Sequence, residues 1–201
     1  MNMAHPVGTR SQVCLLFGIA MLLQGCTTPS THTAAMQNWS VVGQGDWQRS
    51  ETKVTASTSS GDSLLLSDRN HGDVTFSATA SSTNREASLA IRMQDAANGY
   101  LVVFVPDGIS WNNGVGGIWF SKRTAGRESS LGYYHRPGFP SLGQGARLSV
   151  VAAGSSFKVT LNGQNILSVT DPAYASGRIG FRIYGDRGLP CSATFADIEV
   201  R

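Results

Sequence analysis

Polar side chains recur at alternate positions along one largely apolar segment. Glu86, Ser88 and Arg92 are separated by even intervals, and a leucine, an isoleucine and a methionine occupy the positions of opposite parity. Successive side chains of a β-strand point to opposite faces, so the three polar groups share one face. Carboxylate, hydroxyl and guanidinium groups on one surface can hydrogen-bond the hydroxyls of a sugar. An ordinary solvated strand face has the same composition, so both interpretations stay open.

Aromatic side chains further along the chain could complete such a site, because a flat ring can bury the C–H face of a pyranose. Trp119 alternates with Ile118 and Phe120, so it faces the other side of its strand. For this tryptophan, ligand contact and core packing are equal alternatives. Trp39 and Trp47 are expected in the core, where large aromatic rings are usually buried.

The elements that position these residues have the period of β-strands. Asp73–Ala80 alternates, whereas Tyr100–Val105 is apolar at every position, as expected for a strand covered on both sides. Asn162-Gly163 predicts a type I′ hairpin turn. Many short strands with such turns indicate an all-β sandwich or barrel. Further strands are predicted at 86–93, 117–121, 131–135, 147–152, 157–161, 166–170, 178–184 and 193–200.

The last third of the chain resembles a known succession of strands. Phe157–Gly163, Ser176–Arg182 and Phe195–Val200 are similar to the end of concanavalin A-like jelly-roll domains. Within that group they resemble the 3-keto-disaccharide hydrolase type and its laminin-G-like relatives. Ala90–Tyr100 resembles the central element of the family. The resemblance implies a jelly-roll sandwich of two antiparallel sheets over residues 39–201, with a sugar-binding groove on the outer face of one sheet.

The resemblance also implies where a ligand would lie, since the matching arginine of the family projects into the groove. Together with the polar strand face, it makes carbohydrate the predicted partner. Whether the groove is catalytic stays open, and a protein-interaction or envelope-structural module is the alternative from another class. The predicted ligand contacts are Glu86, Arg92, Tyr100, Trp119 and His135.

Catalytic residues are not evident from the sequence. Glycosidases need paired carboxylates, and the E-x-D-x-x-E strand motif of related laminarinases is absent, with the glutamates isolated at 51, 86, 128 and 199. A 3-keto-glycoside could instead undergo elimination with a general base. His71, Glu86, His135 or Asp107 could serve, and no spacing selects one of them.

No cofactor or metal site is predicted, although one loop offers oxygen ligands that suit calcium. Asp107, Asn112 and Asn113 lie close together in a glycine-rich stretch. These residue types more often form turns. The calcium prediction is therefore the weaker alternative at this loop.

The amino terminus carries a targeting signal. Arg10 precedes an apolar run over residues 13–23, which is too short to span a membrane, and Leu23-Gln-Gly-Cys26 follows. This segment resembles the lipobox of bacterial lipoproteins, which implies cleavage after residue 25 and a lipid on Cys26. Residues 26–38 then form a polar tether, and Thr27 favours the outer membrane of the bacterial envelope. An ordinary secretory signal is the alternative.

Charge and cysteine usage fit an exported single domain. About 175 of the 201 residues follow the signal, which suits one domain. Sixteen Lys and Arg balance thirteen Asp and Glu without clustering, so nucleic-acid binding is not expected. Cys14 lies in the signal and Cys26 in the lipobox, so Cys191 has no partner for an intramolecular disulfide. We expect Cys191 to be buried beside the last strand.

Overall fold

A computed structural model of the chain describes residues 36–82, 85–109, 113–141, 143–186 and 188–201. The predictions for the signal peptide, for Cys26 and for the tether as far as residue 35 lie outside the described residues, as does Asn112. Among the described residues, every regular element is a strand except one 3-10 turn, Met36–Asn38. In this part of the chain, no helix has the length and apolarity needed to cross a membrane. The all-β prediction is confirmed.

Fourteen strands are present in the described part of the chain. They are β1 (Ser40–Gly43), β2 (Asp46–Arg49), β3 (Lys53–Thr58), β4 (Gly61–His71), β5 (Val74–Ser82), β6 (Ala87–Met93), β7 (Gly99–Val105), β8 (Gly117–Thr124), β9 (Arg127–Tyr134), β10 (Ala146–Ala153), β11 (Ser156–Leu161), β12 (Gln164–Thr170), β13 (Gly177–Gly185) and β14 (Cys191–Val200).

The strands form two seven-stranded antiparallel sheets that pack face to face. The front sheet has the order β1-β4-β13-β6-β7-β8-β9, and the back sheet has the order β12-β11-β10-β5-β14-β3-β2. Neighbours in space are often distant in the chain: β13 lies between β4 and β6, and β14 between β3 and β5. The predicted sandwich of two antiparallel sheets is confirmed. The predicted hairpin joins β11 to β12, with positive φ at both Asn162 and Gly163 as a type I′ turn requires.

Aromatic rings fill much of the space between the sheets. Phe181 of the front sheet stacks on Phe195 of the back sheet, with ring centroids 4.2 Å apart, and Trp39 stacks on Phe181 at 5.8 Å. Trp39 and Cys191 are buried, as predicted. Trp47 packs against the rim of the core, and its Nε1 donates to Ser63 Oγ at 2.8 Å. The inner layer therefore holds the two sheets together mainly by apolar burial.

A second apolar cluster covers the outer face of the front sheet. Leu64 and Leu66 of β4 lie there, whereas Leu65 between them faces the core. Residues 101, 103 and 105 of β7 belong to the same outer cluster, together with Ile109 from the loop that follows this strand. This confirms that the Tyr100–Val105 segment is covered on both sides. The centre of the front face is consequently filled by side chains, in contrast to the open groove that the resemblance implies.

Candidate functional site

A charged pocket lies on the outer front face. Its cavity of about 380 Å³ collects side chains from β4, β13, β8 and β9 and from the residue before β6. The pocket is lined by Asp62, Glu86, Arg123, Gly126, Glu128, Arg182 and Tyr184. Ser88 adjoins these residues, because it pairs with Arg182 in the sheet.

Sheet twist brings two of these residues together from a distance. Asp62 is on the second strand of the front sheet and Arg123 is on the sixth, toward opposite ends of the sheet, yet their side chains form an ion pair. Neighbouring strands rotate by about 20–25° relative to one another, so diagonal corners of a seven-stranded sheet curl toward the same face. The outer front face is therefore concave along this diagonal, and the pocket lies where the corners meet.

Arg182 is the centre of the pocket. Its Nε donates to Asp62 Oδ1 at 2.6 Å, its Nη1 donates to Glu86 Oε1, and its Nη2 lies 3.4 Å from Glu128 Oε1. The guanidinium also lies 5.0 Å from the centroid of the Tyr184 ring. A nearly buried guanidinium thus holds three carboxylates in place, and the fixed fork of its N–H groups sets their orientation.

Burial and charge move the pKa values of the carboxyl groups in opposite directions. Burial would raise the pKa of Asp62, but the charges and hydrogen bonds of Arg182 and Arg123 outweigh burial and hold it below its ordinary value. Burial raises the pKa of Glu86; the charge of Arg182 opposes this, while nearby Glu128 and Asp62 add to the rise. The Arg182 pKa is raised, because its carboxylate partners outweigh its burial. One pocket therefore contains a firmly ionised carboxylate and a more readily protonated one.

Several buried polar atoms of this region have no partner among the described residues. Arg123 Nη2 binds Asp62, but its Nε and Nη1 donate to no described group. Ser88 Oγ, on the same outer face, is likewise buried without a partner. Buried donors without acceptors cost about 1–3 kcal/mol each, so such a site gains free energy when a ligand supplies oxygen atoms. The pocket therefore combines unpaired N–H groups of Arg123 with oriented carboxylate oxygens.

The prediction that Arg92 shares the face of Glu86 and Ser88 is corrected by the structure. A register shift in the pairing of β6 with β13 gives β6 one extra residue, and Arg92 there has φ of 50°. Such a β-bulge reverses the alternation beyond it. Arg92 therefore turns inward between the sheets and is fully buried, with its guanidinium 5.1 Å from the Phe157 ring centroid.

Arg92 instead bridges several connections between strands. Its N–H groups donate to the carbonyl oxygens of Gly72, Gly154 and Tyr174 at 2.7–3.1 Å, and Nη2 is 3.4 Å from Asp73 Oδ1. These carbonyls belong to three separate connections between strands. In this conformation each of the three guanidinium nitrogens is bound by the chain itself, and the buried group is not available to a ligand.

Tyr100 is also inside the protein rather than on a ligand-accessible face. Its side chain is buried and its hydroxyl donates to Asp171 Oδ1 at 2.7 Å, while Lys122 Nζ binds Asp171 Oδ2 at 2.7 Å. Burial, together with the hydrogen bond to Asp171, raises the pKa of Tyr100 to about 12. The predicted contact role of Tyr100 conflicts with this position, because β7 presents its even-numbered residues to the core.

Two of the remaining predicted contacts, Glu86 and Trp119, lie on the outer front face. Glu86 is in the charged pocket, and Trp119 is half-buried on the outer face of β8, opposite Tyr133 of β9. His135 follows β9, with its Nε2 3.2 Å from Asp107 Oδ1. The structure brings these two candidate bases together, whereas His71 lines a separate cavity beside Trp39.

The main pocket residues were not predicted from the sequence. Asp62, Arg123 and Arg182 are 59 to 120 positions apart in the chain, and their proximity depends on strand order and twist. One local signal was available, because Arg182 stands in the middle of an otherwise largely apolar strand, GRIGFRIYG. A charge in such a strand needs a partner, since burying an isolated charge is costly.

The loop proposed for calcium shows a different use of its carboxylate. Asp107 Oδ1 accepts a hydrogen bond from the Gly116 amide at 2.6 Å, and Asn113 adopts positive φ in a turn. The described residues contain no group of three or more His, Cys, Asp and Glu side chains that could hold a metal ion. Calcium binding at this loop stays a prediction.

Comparisons with known proteins agree on the fold. No sequence profile of a known protein family matches the chain, and no curated protein matches it. The structure is similar to the carbohydrate-binding module CBM66 from Bacillus subtilis, with a TM-score of 0.67 and 22% identity over 83% of this chain and 97% of that one.

Two other solved structures have the same arrangement at lower identity. One is a Bacillus subtilis protein with a galectin-like fold, with a TM-score of 0.60 and 14% identity over 83% of this chain and 90% of that one. The other is the exoplasmic/lumenal domain of VIP36 in a Ca²⁺/Man3GlcNAc-bound form, with a TM-score of 0.59, 11% identity and 85% coverage of both chains. The chain therefore has a concanavalin A- and galectin-like jelly-roll fold.

Proposed function

We propose that this protein binds carbohydrate in the charged pocket around Arg182. The observation that carries the proposal is that two nitrogens of Arg123, Nε and Nη1, have no partner and lie beside carboxylates that Arg182 holds in place. Vicinal hydroxyls of a sugar both donate and accept hydrogen bonds, so they match a surface where donors and acceptors alternate. The jelly-roll fold, shared with a carbohydrate-binding module and with a domain solved in a glycan-bound form, adds support.

The charge of the pocket favours a sugar without acidic groups. Three carboxyl groups and two guanidinium groups are among its lining residues, and both guanidinium groups are already paired with Asp62. An anionic ligand would compete with Glu86 and Glu128 for these pairs. A neutral polyol instead uses the remaining hydrogen-bonding capacity without separating buried charges, which would be costly.

We also propose that the domain is displayed on the bacterial envelope by lipid on Cys26. The lipobox-like segment and the polar residues after it support this placement. We expect the Cys26→Ser variant to move from the membrane fraction to the soluble fraction on cell fractionation. Retention of the variant on the membrane would contradict anchoring through this cysteine.

The binding proposal is tested with the full-length protein in detergent on a broad glycan array, followed by calorimetric titration of the strongest glycan. Arg123→Gln and Glu128→Gln each remove one pocket group and are expected to weaken binding at least tenfold, which corresponds to about 1.4 kcal/mol. Arg147→Gln is the control, because it removes the same kind of group from an ion pair with Glu199 on the back sheet, away from the pocket. Equal binding by all three variants, or no glycan bound by the wild type, would overturn the proposal.

Hydrolysis or elimination of 3-keto-glycosides is a second candidate for the same pocket. The raised pKa of Glu86 favours it, because burial makes this carboxyl group hold its proton more readily than an ordinary glutamate, as a general acid requires. We expect product from a 3-keto-disaccharide to disappear in the Glu86→Gln variant while binding persists. Binding without turnover by the wild type would restrict the protein to recognition.

A further inference from the structure

Tyr133 is an exposed aromatic residue that is nevertheless held rigidly. Nearly half of the residue is exposed (46%), yet its hydroxyl donates to the carbonyl of Gly116 at 3.0 Å. Its ring also packs against Trp119, with centroids 4.7 Å apart and planes inclined by 39°. The Tyr133 side chain is thus fixed at both its tip and its face while still presenting surface to solvent.

Gly117 leaves the space that the Tyr133 ring occupies against β8. A Cβ atom at Gly117 would lie 2.4 Å from Tyr133 Cε2, so only glycine at this position allows the ring to lie against β8. Tyrosine supplies a large contact surface with two side-chain torsions, and here both are constrained before any ligand binds. Such preorganisation lowers the entropic cost of association.

The aromatic pair and the Arg182 pocket lie on the same face and in line across the sheet. Arg182 pairs with Ser88, Ser88 with Val103, Val103 with Trp119, and Trp119 with Tyr133. β8 and β9 also carry Arg123 and Glu128 of the pocket, and on these strands Trp119 is four residues from Arg123 and Tyr133 is five residues from Glu128. At roughly 3.3 Å per residue, the aromatic pair lies about 13–16 Å along the strands from these pocket residues. One sugar ring cannot reach both the pocket and the aromatic pair.

We propose that Trp119 and Tyr133 form a second contact for the same ligand, which is therefore an oligosaccharide chain rather than a single sugar. The inference rests on the proposed function, because it assumes that one sugar unit occupies the charged pocket. A second unit of the chain stacks its C–H face on the Tyr133 ring, where the contact is apolar rather than ionic.

The experiment uses the full-length protein and fragments of increasing length from the glycan selected on the array. Titration calorimetry is expected to show affinity rising about tenfold once the fragment is long enough to reach the aromatic pair. Tyr133→Ala is expected to remove this gain and to leave the affinity for the shortest binding fragment unchanged. Tyr133→Phe keeps the ring and loses only the hydroxyl, so it is expected to retain most of the gain.

Tryptophan fluorescence gives an independent readout on the unmodified chain. We expect long fragments, but not short ones, to change the emission, and Trp119→Phe to abolish that change. Equal affinity for short and long fragments, or a length dependence that persists in Tyr133→Ala, would overturn the inference while leaving pocket binding intact. Absence of binding to every fragment would instead refute the proposed function itself.

Discussion

Two buried arginines of the front sheet have opposite surroundings. Arg92 of β6 and Arg182 of β13 are both almost completely buried, and each guanidinium lies about 5 Å from an aromatic ring centroid. Arg92 donates mainly to backbone carbonyls of three connections between strands. Arg182 pairs with three carboxylates that line an open cavity.

The difference separates a structural arginine from one in a binding site. Backbone carbonyls in turns are fixed by the fold, so the Arg92 contacts cannot be exchanged for those of a ligand without opening the loops. Carboxylates have further lone pairs, and those around Arg182 border the cavity, so a ligand can use them without breaking the existing ion pairs. We therefore expect substitutions of Arg92 to affect mainly stability and substitutions of Arg182 to affect mainly binding.

The largest stability effect is expected for Arg92→Met. Loss of the guanidinium leaves a cavity and removes the donor from three carbonyl oxygens, so the free energy of unfolding should fall by about 3–5 kcal/mol. Urea denaturation measures this change. Arg147→Met on the back sheet is the control and should cost less than about 1 kcal/mol, because both side chains of its ion pair with Glu199 stay partly exposed to solvent (30% and 37%). A cost for Arg92→Met no larger than this control would refute the structural role.

A smaller stability loss with a larger binding defect is expected for Arg182→Met. Asp62 and Glu128 retain side-chain exposures of 25% and 31% and can be hydrated again, and Glu86, whose pKa is already raised, can take up a proton, so the loss should be about 1–3 kcal/mol. Glycan binding should disappear, because the carboxylates lose the group that orients them. Calorimetric titration and urea denaturation of the same preparation separate the two effects. If Arg182→Met bound the glycan as tightly as the wild type, the binding site would have to lie outside the Arg182 pocket.

Lowering the pH should destabilise the folded protein partly by protonating Asp62 of the Arg182 pocket. The pKa of this carboxyl group is held below its ordinary value of 3.8 in the folded protein. The unfolded chain therefore takes up the proton first, and the stability contributed by Asp62 is lost as pH falls below 3.8. In thermal unfolding between pH 6 and about pH 2, the melting temperature should fall less steeply for Asp62→Asn than for the wild type. Parallel plots of melting temperature against pH for the two proteins would show that the ion pairs of Asp62 do not contribute to the loss of stability in acid.

The smallest change in the pH dependence of stability is expected for Glu86→Gln. Its sign is opposite to that of Asp62, because Glu86 makes the protein less stable as the pH rises. Burial raises the pKa of Glu86 above its ordinary value of 4.5, so the folded state retains a proton that the unfolded chain has lost. This group therefore lowers stability as pH rises above 4.5, until the folded protein also ionises. Glu86→Gln should flatten that decline in the same unfolding series. A steeper decline in the variant would contradict the raised pKa.

Several features could be predicted from the sequence because they depend on local patterns. The Asn162-Gly163 turn, the β7 strand and the burial of Trp39 follow from turn chemistry, from an unbroken apolar run and from ring size. Strands β1 to β4 were not predicted. In β4, Leu64, Leu65 and Leu66 do not alternate with polar residues, because one face packs in the core and the other in the outer cluster.

The orientation of Arg92 could not be obtained from the same patterns. Parity assigns a strand residue to a face only while the strand is regular, and the bulge at this arginine ends that regularity. No residue type in the segment requires a bulge, since an arginine rather than a glycine adopts the positive φ. The extra residue is visible only in the pairing with β13.

By itself, the sequence determined the all-β class, the chemical types present and the apolar runs that became the two packed layers. These properties depend on neighbours within a few positions, where period and turn preference act directly. Tertiary structure alone decided that Asp62, Arg123 and Arg182 share one pocket and that Arg92 does not. Strand order and cumulative twist, which depend on the packing of the whole sandwich, bring distant residues to a common corner.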